Sequence, residues 1–348
     1  ESAYRAFWRD ARARLGVALD TPESRCTENA VLSIMTGGDY ALVRSVESFE
    51  DYQSFGRQQA LEAGIGKGDV LVAITEGGET SSVIGTAWQA LEAGAQVFFA
   101  CNNPLSVLSE HIERSRRVIE DGRIVKLDLS SGPMAVAGST RMQATSSELL
   151  VVGAALEMAL GRHLRTTLSP DARQALGLTD PPQVDCTAIF SALLQDLAAP
   201  TAREAMATWV EMEESVYRDR NALTYYGDRF LLDIFTDTTE RAPTFSLPPF
   251  RKCDNTQSPR PLAFVKHPRH TTADAWRRML GREPRCLDWD SALYRRLEAA
   301  EQICQTPPAL DLEDLRKFLI GNEDDPSRYA GSGDCAALVL VGTEVVAC

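Results

Sequence analysis

The stretch from Asp69 to Pro104 constrains the fold of this chain more than any other part. Val70–Ile74 is a short apolar run, rich in β-branched residues, of the kind that forms a buried parallel strand. Gly77 and Gly78 interrupt it, a helical pattern follows, and Gln96–Ala100 is a second apolar run. Because parallel strands need a crossover connection, this order predicts a βαβ unit with a glycine loop at the carboxyl end of its first strand.

The predicted glycine loop has two interpretations. A glycine turn before a helix N-terminus presents backbone N–H groups to an anion, and nearby hydroxyl groups add further donors. The same pattern also fits a well-packed crossover whose turn binds nothing. Because hydroxyl groups are clustered there, we favour a site for an anion or another polar ligand. The residues of this predicted site are Gly77, Gly78, Thr80, Ser81 and Ser82.

The composition is that of a globular protein and argues against several classes of partner. A length of 348 residues allows two cores, since domains usually span about 100–200 residues. The net charge of −13 argues against nucleic acid, whose phosphates require a basic surface. We find no apolar run near the ~20 residues that a membrane span needs, and no signal peptide, so no membrane partner is expected. The eight scattered cysteines indicate a reduced, cytoplasmic compartment, and we expect no metal and no cofactor.

The order of apolar runs predicts an α/β chain in two parts. A polar stretch with three prolines, residues 166–183, predicts the boundary between a first domain, residues 1–180, and a second, residues 181–348. In the first, Ala30–Met35 is predicted as a further strand. In the second, Leu223–Tyr226 is predicted as a strand. Strands that alternate with helical patterns are typical of parallel sheets covered by helices.

Two acidic positions deserve separate interpretation. Glu47, Glu50 and Asp51 gather three carboxylates within about one turn, which is usually a solvated surface. If they were partly buried, their mutual repulsion would raise one pKa and create a general acid or base. In the second part, Thr238–Phe245 is predicted as a polar turn that carries one carboxylate, Glu240.

A second candidate anion site precedes a long helical pattern that extends to about Leu164. Gly138, Ser139 and Thr140 would place N–H groups and hydroxyl groups at the start of this helix. An ordinary Ser or Thr N-cap explains the same residues equally well, so both interpretations stay open.

Several of these segments, in the same order, resemble the N-acetylmuramic acid 6-phosphate etherases, and the glucokinase regulatory proteins carry related segments. They are Met35–Asp39, Val46–Asp51, Ile74–Ile84, Cys101–Pro104 and Gly138–Met142. Together they cover roughly residues 30–160, and a fainter resemblance continues at Tyr226–Gly227 and Asp237–Phe245. The resemblance implies two sugar isomerase (SIS) domains in tandem, each a three-layer αβα sandwich with a parallel sheet. Aligned in this way, the chain begins after the first domain's own glycine loop and ends midway through the second.

The resemblance also implies roles for particular residues. In the etherases one Glu removes a proton next to a carbonyl-derived carbon, and another protonates the departing lactate oxygen. By position Glu50 resembles the base and Glu240 the acid. The ligand would be an amino-sugar 6-phosphate, and the assembly either a homodimer or a complex with a partner protein. Besides the glycine loop, the implied substrate-binding residues are Gly37, Gly38, Asn102, Ser139, Thr140 and Arg141.

This sequence departs from the family at two places. The Ser-Gly-Arg of the phosphate loop is Gly77, Gly78 and Glu79 here, so a hydroxyl is missing and a carboxylate replaces a cation. The second part lacks a glycine-rich loop between Gly227 and Phe235. Three classes of function therefore stay open: an etherase-like lyase, a sugar-phosphate-sensing regulator of a partner protein, and a structural domain without ligand.

Overall fold

The chain has two parallel three-stranded sheets, which confirms the predicted α/β class. The computed structural model describes residues 1–16, 27–46, 48–134, 136, 142–178, 185–228, 230–325, 328, 331 and 333–339. The first sheet contains β1 (Val70–Ile74), β2 (Gln96–Cys101) and β3 (Ile124–Asp128), in the order β1-β2-β3. The second contains β4 (Leu223–Tyr226), β5 (Ala263–Lys266) and β6 (Cys335–Leu338), in the order β5-β4-β6.

Helices surround and connect the sheets. Before the first sheet lie α1 (Ser2–Leu15), two single 3-10 turns (Asp39–Leu42 and Phe49–Asp51) and α2 (Gln53–Glu62). Within the first sheet the connections are α3 (Ser81–Glu92), α4 (Leu105–His111) and α5 (Glu113–Glu120). Between the sheets lie α6 (Gln143–Thr167), α7 (Pro170–Ala175), α8 (Cys186–Ala198) and α9 (Pro200–Arg218). Within the second sheet the connections are α10 (Leu231–Phe245), α11 (Thr272–Leu280), α12 (Ser291–Arg296), α13 (Glu301–Gln305) and α14 (Leu312–Arg316).

Two local predictions were wrong. Ala30–Met35 joins neither sheet, and the Met35 carbonyl instead accepts bonds from the Gly38 N–H and the Gln59 amide. The predicted turn Thr238–Phe245 is helical, because α10 continues through it to Phe245. Pro243 lies in the last turn of α10, so the backbone hydrogen bond that it removes is close to the end of the helix. Glu240 therefore lies on a helix.

The largest hydrophobic core joins the two parts of the chain. We call residues 39–46 and 48–55, which precede the first sheet, the inserted segment. Its buried apolar side chains lie in the core of the second sheet; they are Tyr40, Leu42, Val43, Phe49 and Phe55. The ring centroid of Phe49 lies 5.4 Å from that of Trp289, and Phe55 lies 5.4 Å from Tyr294. The predicted boundary near residue 180 falls within 179–184, outside the described residues, and stays a prediction.

A buried cluster of charged side chains also holds the N-terminal end of the inserted segment against the second part of the chain. Asp39, at the start of the inserted segment, is 4% exposed and accepts hydrogen bonds from the Arg282 guanidinium and the Arg285 backbone N–H. Glu1 lies 2.7 Å from a guanidinium nitrogen of Arg285. Burial alone would raise the pKa of Glu1, but hydrogen bonds from Arg285 and Ser33 hold it well below its ordinary value.

Helices α6, α8 and α9 leave much apolar surface uncovered in the described part of the chain. By length and composition, helix α6 is long and apolar enough to cross a membrane. The sequence alone did not single it out, because only uninterrupted apolar runs were considered. Glu148 and Glu157 interrupt the apolar run of this helix. The most exposed apolar side chains are Leu149 and Met158 on α6, Ile189, Leu193 and Leu194 on α8, and Met206 and Val210 on α9.

Helices α2 and α3 cross at a pair of glycines. A Cβ atom on Gly56 would lie 1.7 Å from the Ser82 carbonyl oxygen, and one on Gly85 would lie 2.0 Å from the Gln53 carbonyl oxygen. Both neighbours are backbone atoms, which cannot move aside without shifting a helix. The crossing therefore fixes the position of α3 relative to α2, and with it the position of the loop that precedes α3.

We predict that Gly56→Ala lowers the free energy of unfolding by about 3 kcal/mol, because the methyl group overpacks a contact between two backbones. The matched control is Gly153→Ala in α6, where an added Cβ meets nothing within 4 Å. That substitution should stabilise the helix by about 0.5–1 kcal/mol. Urea unfolding of both variants tests this prediction. Equal free energies of unfolding for the two variants would contradict the close backbone contact between α2 and α3.

Candidate functional site

The glycine loop, residues 75–80, lies where it was predicted, at the carboxyl end of β1 and directly before α3. Gly78 has φ +76°, a conformation that residues with side chains rarely adopt. A Cβ atom there would lie 2.4 Å from Leu108 Cδ1 and 3.1 Å from Cys101 Cβ. Only glycine fits at this position, so the loop is packed closely against β2 and α4.

Side chains that follow β2 fix the orientation of the loop's peptide groups. The anchoring bonds run from Asn103 Nδ2 to Gly77 O (3.0 Å), from Ser115 Oγ to Gly78 O (2.7 Å) and from Arg114 Nε to Glu79 O (2.5 Å). In a trans peptide the C=O and N–H groups point in opposite directions. The N–H groups of Glu79 and Thr80 therefore point away from these anchors. This orientation is the one that donors to a ligand require.

The loop's hydroxyl groups differ in availability. Thr80 and Ser81 are half-buried, and Thr80 Oγ1 lies 3.0 Å from Thr75 Oγ1. Ser82 is completely buried, and its hydroxyl lies 3.0 Å from that of Thr36. Of the three predicted hydroxyl donors, Ser82 thus serves the packing of the loop, while Thr80 and Ser81 keep exposed surface.

Glu79, the unexpected carboxylate of the loop, is exposed. One of its oxygens lies 3.6 Å from Arg114 Nη2, so a cation partly offsets its charge. An exposed pair of this kind contributes little to stability. It does, however, reduce the repulsion that Glu79 would exert on an anion.

Gly37 and Gly38 are buried at the start of the inserted segment. Both have positive φ, +86° and +72°. The Gly37 N–H donates to Gln59 Oε1 at 3.3 Å, and a Cβ on Gly38 would lie 2.9 Å from the Arg285 carbonyl oxygen. In the structure these glycines allow the close contact between the inserted segment and residues 282–287.

The helix that carries Glu240 contacts the first 3-10 turn of the inserted segment, and Glu50 lies on the second. Glu50 is exposed on the second 3-10 turn, and Glu240 is half-buried on α10. The hydroxyl of Thr239, next to Glu240, donates to the Leu42 carbonyl of the inserted segment at 3.0 Å. The structure thus brings the helix of Glu240 against the segment of Glu50, and their catalytic roles stay predictions. Ser139, Thr140, Arg141 and Glu47 lie outside the described residues.

The structure also contains a buried carboxylate that the sequence analysis missed. Glu148, in the second turn of α6, is 7% exposed. Burial, and secondly the charge of Glu76, raises its pKa to about 7. Glu76 directly precedes Gly77 and accepts a hydrogen bond from Thr145 Oγ1 at 2.7 Å. Glu148 lies four residues after the buried Ala144, on the same face of α6, but the sequence alone does not show which face of this helix is buried.

Asn102 connects this carboxylate to the end of β2. It is 4% exposed, and its Nδ2 donates to the Leu129 carbonyl at 2.9 Å and to Ser147 Oγ at 2.7 Å. Because a carbonyl can only accept, these contacts fix which end of the amide is nitrogen. Asn102, predicted as a substrate-binding residue, therefore contacts the residue directly before Glu148, and its amide nitrogen is used within the protein.

We predict that Glu148→Gln changes the pH dependence of stability. The unfolded chain releases this proton near pH 4.5 and the folded protein near pH 7, so the folded state binds more protons between them. Wild-type stability should therefore fall as pH rises from about 4.5 to 7, by up to roughly 3 kcal/mol from this group.

Thermal unfolding from pH 4.5 to 8 checks this expectation. Glu148→Gln should remove that decline and be more stable than wild type at pH 8. Glu157→Gln, at an exposed position on the same helix, is the control and should retain the wild-type profile. A parallel profile for wild type and Glu148→Gln would show that Glu148 ionises in the folded protein as it does in the unfolded chain.

Comparison with known proteins supports the resemblance for part of the chain. No protein-family model matches it. It is 35% identical over 156 residues to the N-acetylmuramic acid 6-phosphate etherase of Thermosynechococcus vestitus, 31% over 143 residues to N-acetylmuramic acid 6-phosphate etherase 1 of Bacillus licheniformis, and 30% over 156 residues to the etherase of Deinococcus radiodurans. These alignments cover 43%, 40% and 43% of this chain and 47%, 43% and 47% of the respective relatives. The chain thus spans less than half the length of these relatives.

Proposed function

We propose that this chain binds an amino-sugar 6-phosphate at the glycine loop and belongs to an etherase-like carbon–oxygen lyase of the SIS type. The observation that carries the proposal is the orientation of the loop. The anchored carbonyl groups of Gly78 and Glu79 direct the N–H groups of Glu79 and Thr80 away from their anchors, at the N-terminus of α3. Oriented N–H groups at a helix N-terminus favour an anion such as a phosphate. The similarity to the etherases supports the choice of an amino sugar.

The proposed chemistry uses Glu50 and Glu240. Glu50 would remove a proton next to the carbonyl-derived carbon, the carbon–oxygen bond to lactate would break, and Glu240 would protonate the departing oxygen. The contact between Thr239 and Leu42 supports this assignment, because it holds the helix of Glu240 against the inserted segment, which also carries Glu50. A tandem arrangement, with residues 1–180 and 181–348 as two SIS-like domains, is part of the same proposal.

A second candidate function is a sugar-phosphate-sensing regulator that lacks turnover. The exposure of Glu50 favours it, because the structure does not enclose the carboxylate that would act as the base. The uncovered apolar side chains of α6, α8 and α9 also favour it, since a partner protein could cover them. Release of lactate distinguishes the two functions.

We predict that Glu50→Gln and Glu240→Gln each lower kcat for lactate release from N-acetylmuramic acid 6-phosphate by about 10²–10⁴-fold, the usual contribution of a general acid or base. Glu120→Gln, at an exposed position at the end of α5, is the control and should leave kcat unchanged. Circular dichroism would confirm that all three variants fold.

Binding is measured separately from turnover. A sugar phosphate at 100 times its Kd should stabilise the wild-type protein by about 2.7 kcal/mol in a thermal unfolding experiment. Stabilisation without lactate release would favour the regulator. Absence of both would leave a structural domain and refute the proposed function.

A further inference from the structure

Two hydrogen-bond acceptors are enclosed beside the glycine loop without a partner. Asn102 Oδ1 and Glu148 Oε1 each expose almost no surface, and neither accepts a hydrogen bond within the described part of the chain. Both side chains are more than nine-tenths buried. Because enclosed polar atoms are nearly always satisfied, two such atoms indicate a partner that the described part of the chain does not supply.

The two acceptors belong to one location. Asn102 donates through Nδ2 to Ser147 Oγ, and Ser147 immediately precedes Glu148 on α6. The charge of Glu76 acts on Glu148, and the backbone N–H of Asn102 donates to the Glu76 carbonyl at 2.9 Å. Glu76 belongs to the glycine loop and directly precedes Gly77. The acceptors therefore lie at the carboxyl edge of the first sheet, beside the proposed anion site.

The chemistry of this location excludes a second anion. Carboxylate and carbonyl oxygens accept hydrogen bonds and repel phosphate, whereas they bind hydroxyl, amide or ammonium groups. A ligand that places a donor here would satisfy both enclosed oxygens while its anionic group contacts the N–H groups of the loop. Such a ligand carries both kinds of group a few bonds apart, as a phosphorylated sugar does.

We propose that Glu148 and Asn102 form a recognition site for a hydrogen-bond donor of the ligand, a hydroxyl or an amine, next to the phosphate-binding loop. This inference rests on the proposed function for the identity of the anion, but not for the acceptor site itself. It assigns Glu148 a role in specificity that is separate from the proposed catalysis by Glu50 and Glu240.

Isothermal titration with three probes tests the site: glucosamine 6-phosphate, N-acetylglucosamine 6-phosphate and glucose 6-phosphate. We compare wild type, Glu148→Gln and Glu148→Leu at pH 8, with Glu157→Gln as the matched control on the same helix. Because Glu148→Leu removes the acceptor, it should raise the Kd of at least one probe tenfold or more, while Glu157→Gln leaves every Kd unchanged. Circular dichroism verifies folding, and Glu148→Gln provides a variant of nearly the same shape.

The pattern among the probes identifies the donor. Selective weakening of glucosamine 6-phosphate in Glu148→Gln assigns an ammonium group. Weakening of all three probes in Glu148→Leu assigns a hydroxyl. Unchanged Kd values in both Glu148 variants, with sugar phosphates still bound, overturn the inference and leave the proposed function standing.

The opposite outcome is also distinguishable, in which the acceptor site is present and the phosphate site is absent. If glucosamine binds without its phosphate as tightly as with it, and Glu148→Leu abolishes that binding, the acceptor site stands and the phosphate site fails. If the wild-type protein binds none of the three probes nor glucosamine, both are overturned, and the enclosed oxygens hold a structural water.

Discussion

The burial of the inserted segment in the core of the second sheet is the interaction on which the rest of the structure depends. Phe49 and Phe55 bury large aromatic rings against Trp289 and Tyr294, and such rings contribute the largest hydrophobic free energies of any side chains. The backbone leaves this core directly into α2. Helix α2 crosses α3 at two glycines, and α3 begins at the loop. One continuous path thus connects the second sheet's core to the candidate binding loop of the first.

The same path bears on the proposed acid–base site, whose two residues come from different parts of the chain. Glu50 lies on the inserted segment, and Glu240 lies on a helix whose Thr239 contacts that segment. The ion cluster of Asp39, Arg282 and Arg285 holds the contact from the other side. Breaking a buried pair of this kind is strongly destabilising, because it leaves a charge without compensation. The position of the proposed acid relative to the base therefore depends on packing far from the glycine loop.

What the sequence could predict was local. The order β1, loop, α3 and β2 follows from apolar runs and glycines that are neighbours in the chain. A similar apolar run correctly predicted the bounds of the strand Leu223–Tyr226. The inserted segment was not predicted, because Phe49 and Phe55 find their partners only in three dimensions. Glu148 was overlooked for a related reason: a single carboxylate in an apolar helix has no local signature of burial. The helical state of Glu240 was missed because Pro243 normally indicates a turn.

The shared core also has a consequence for the synthesis of the chain. A ribosome adds about 5–20 residues per second, so Phe49 and Phe55 emerge on the order of tens of seconds before Trp289 and Tyr294. During that interval β1, β2 and β3 can already pair, since the whole first sheet is contiguous in the chain. The nascent protein therefore carries a formed sheet beside a bare aromatic segment, the kind of surface that chaperones bind. Slower translation of the second part lengthens that exposure, and so the yield of native protein is linked to the speed at which its last third is made.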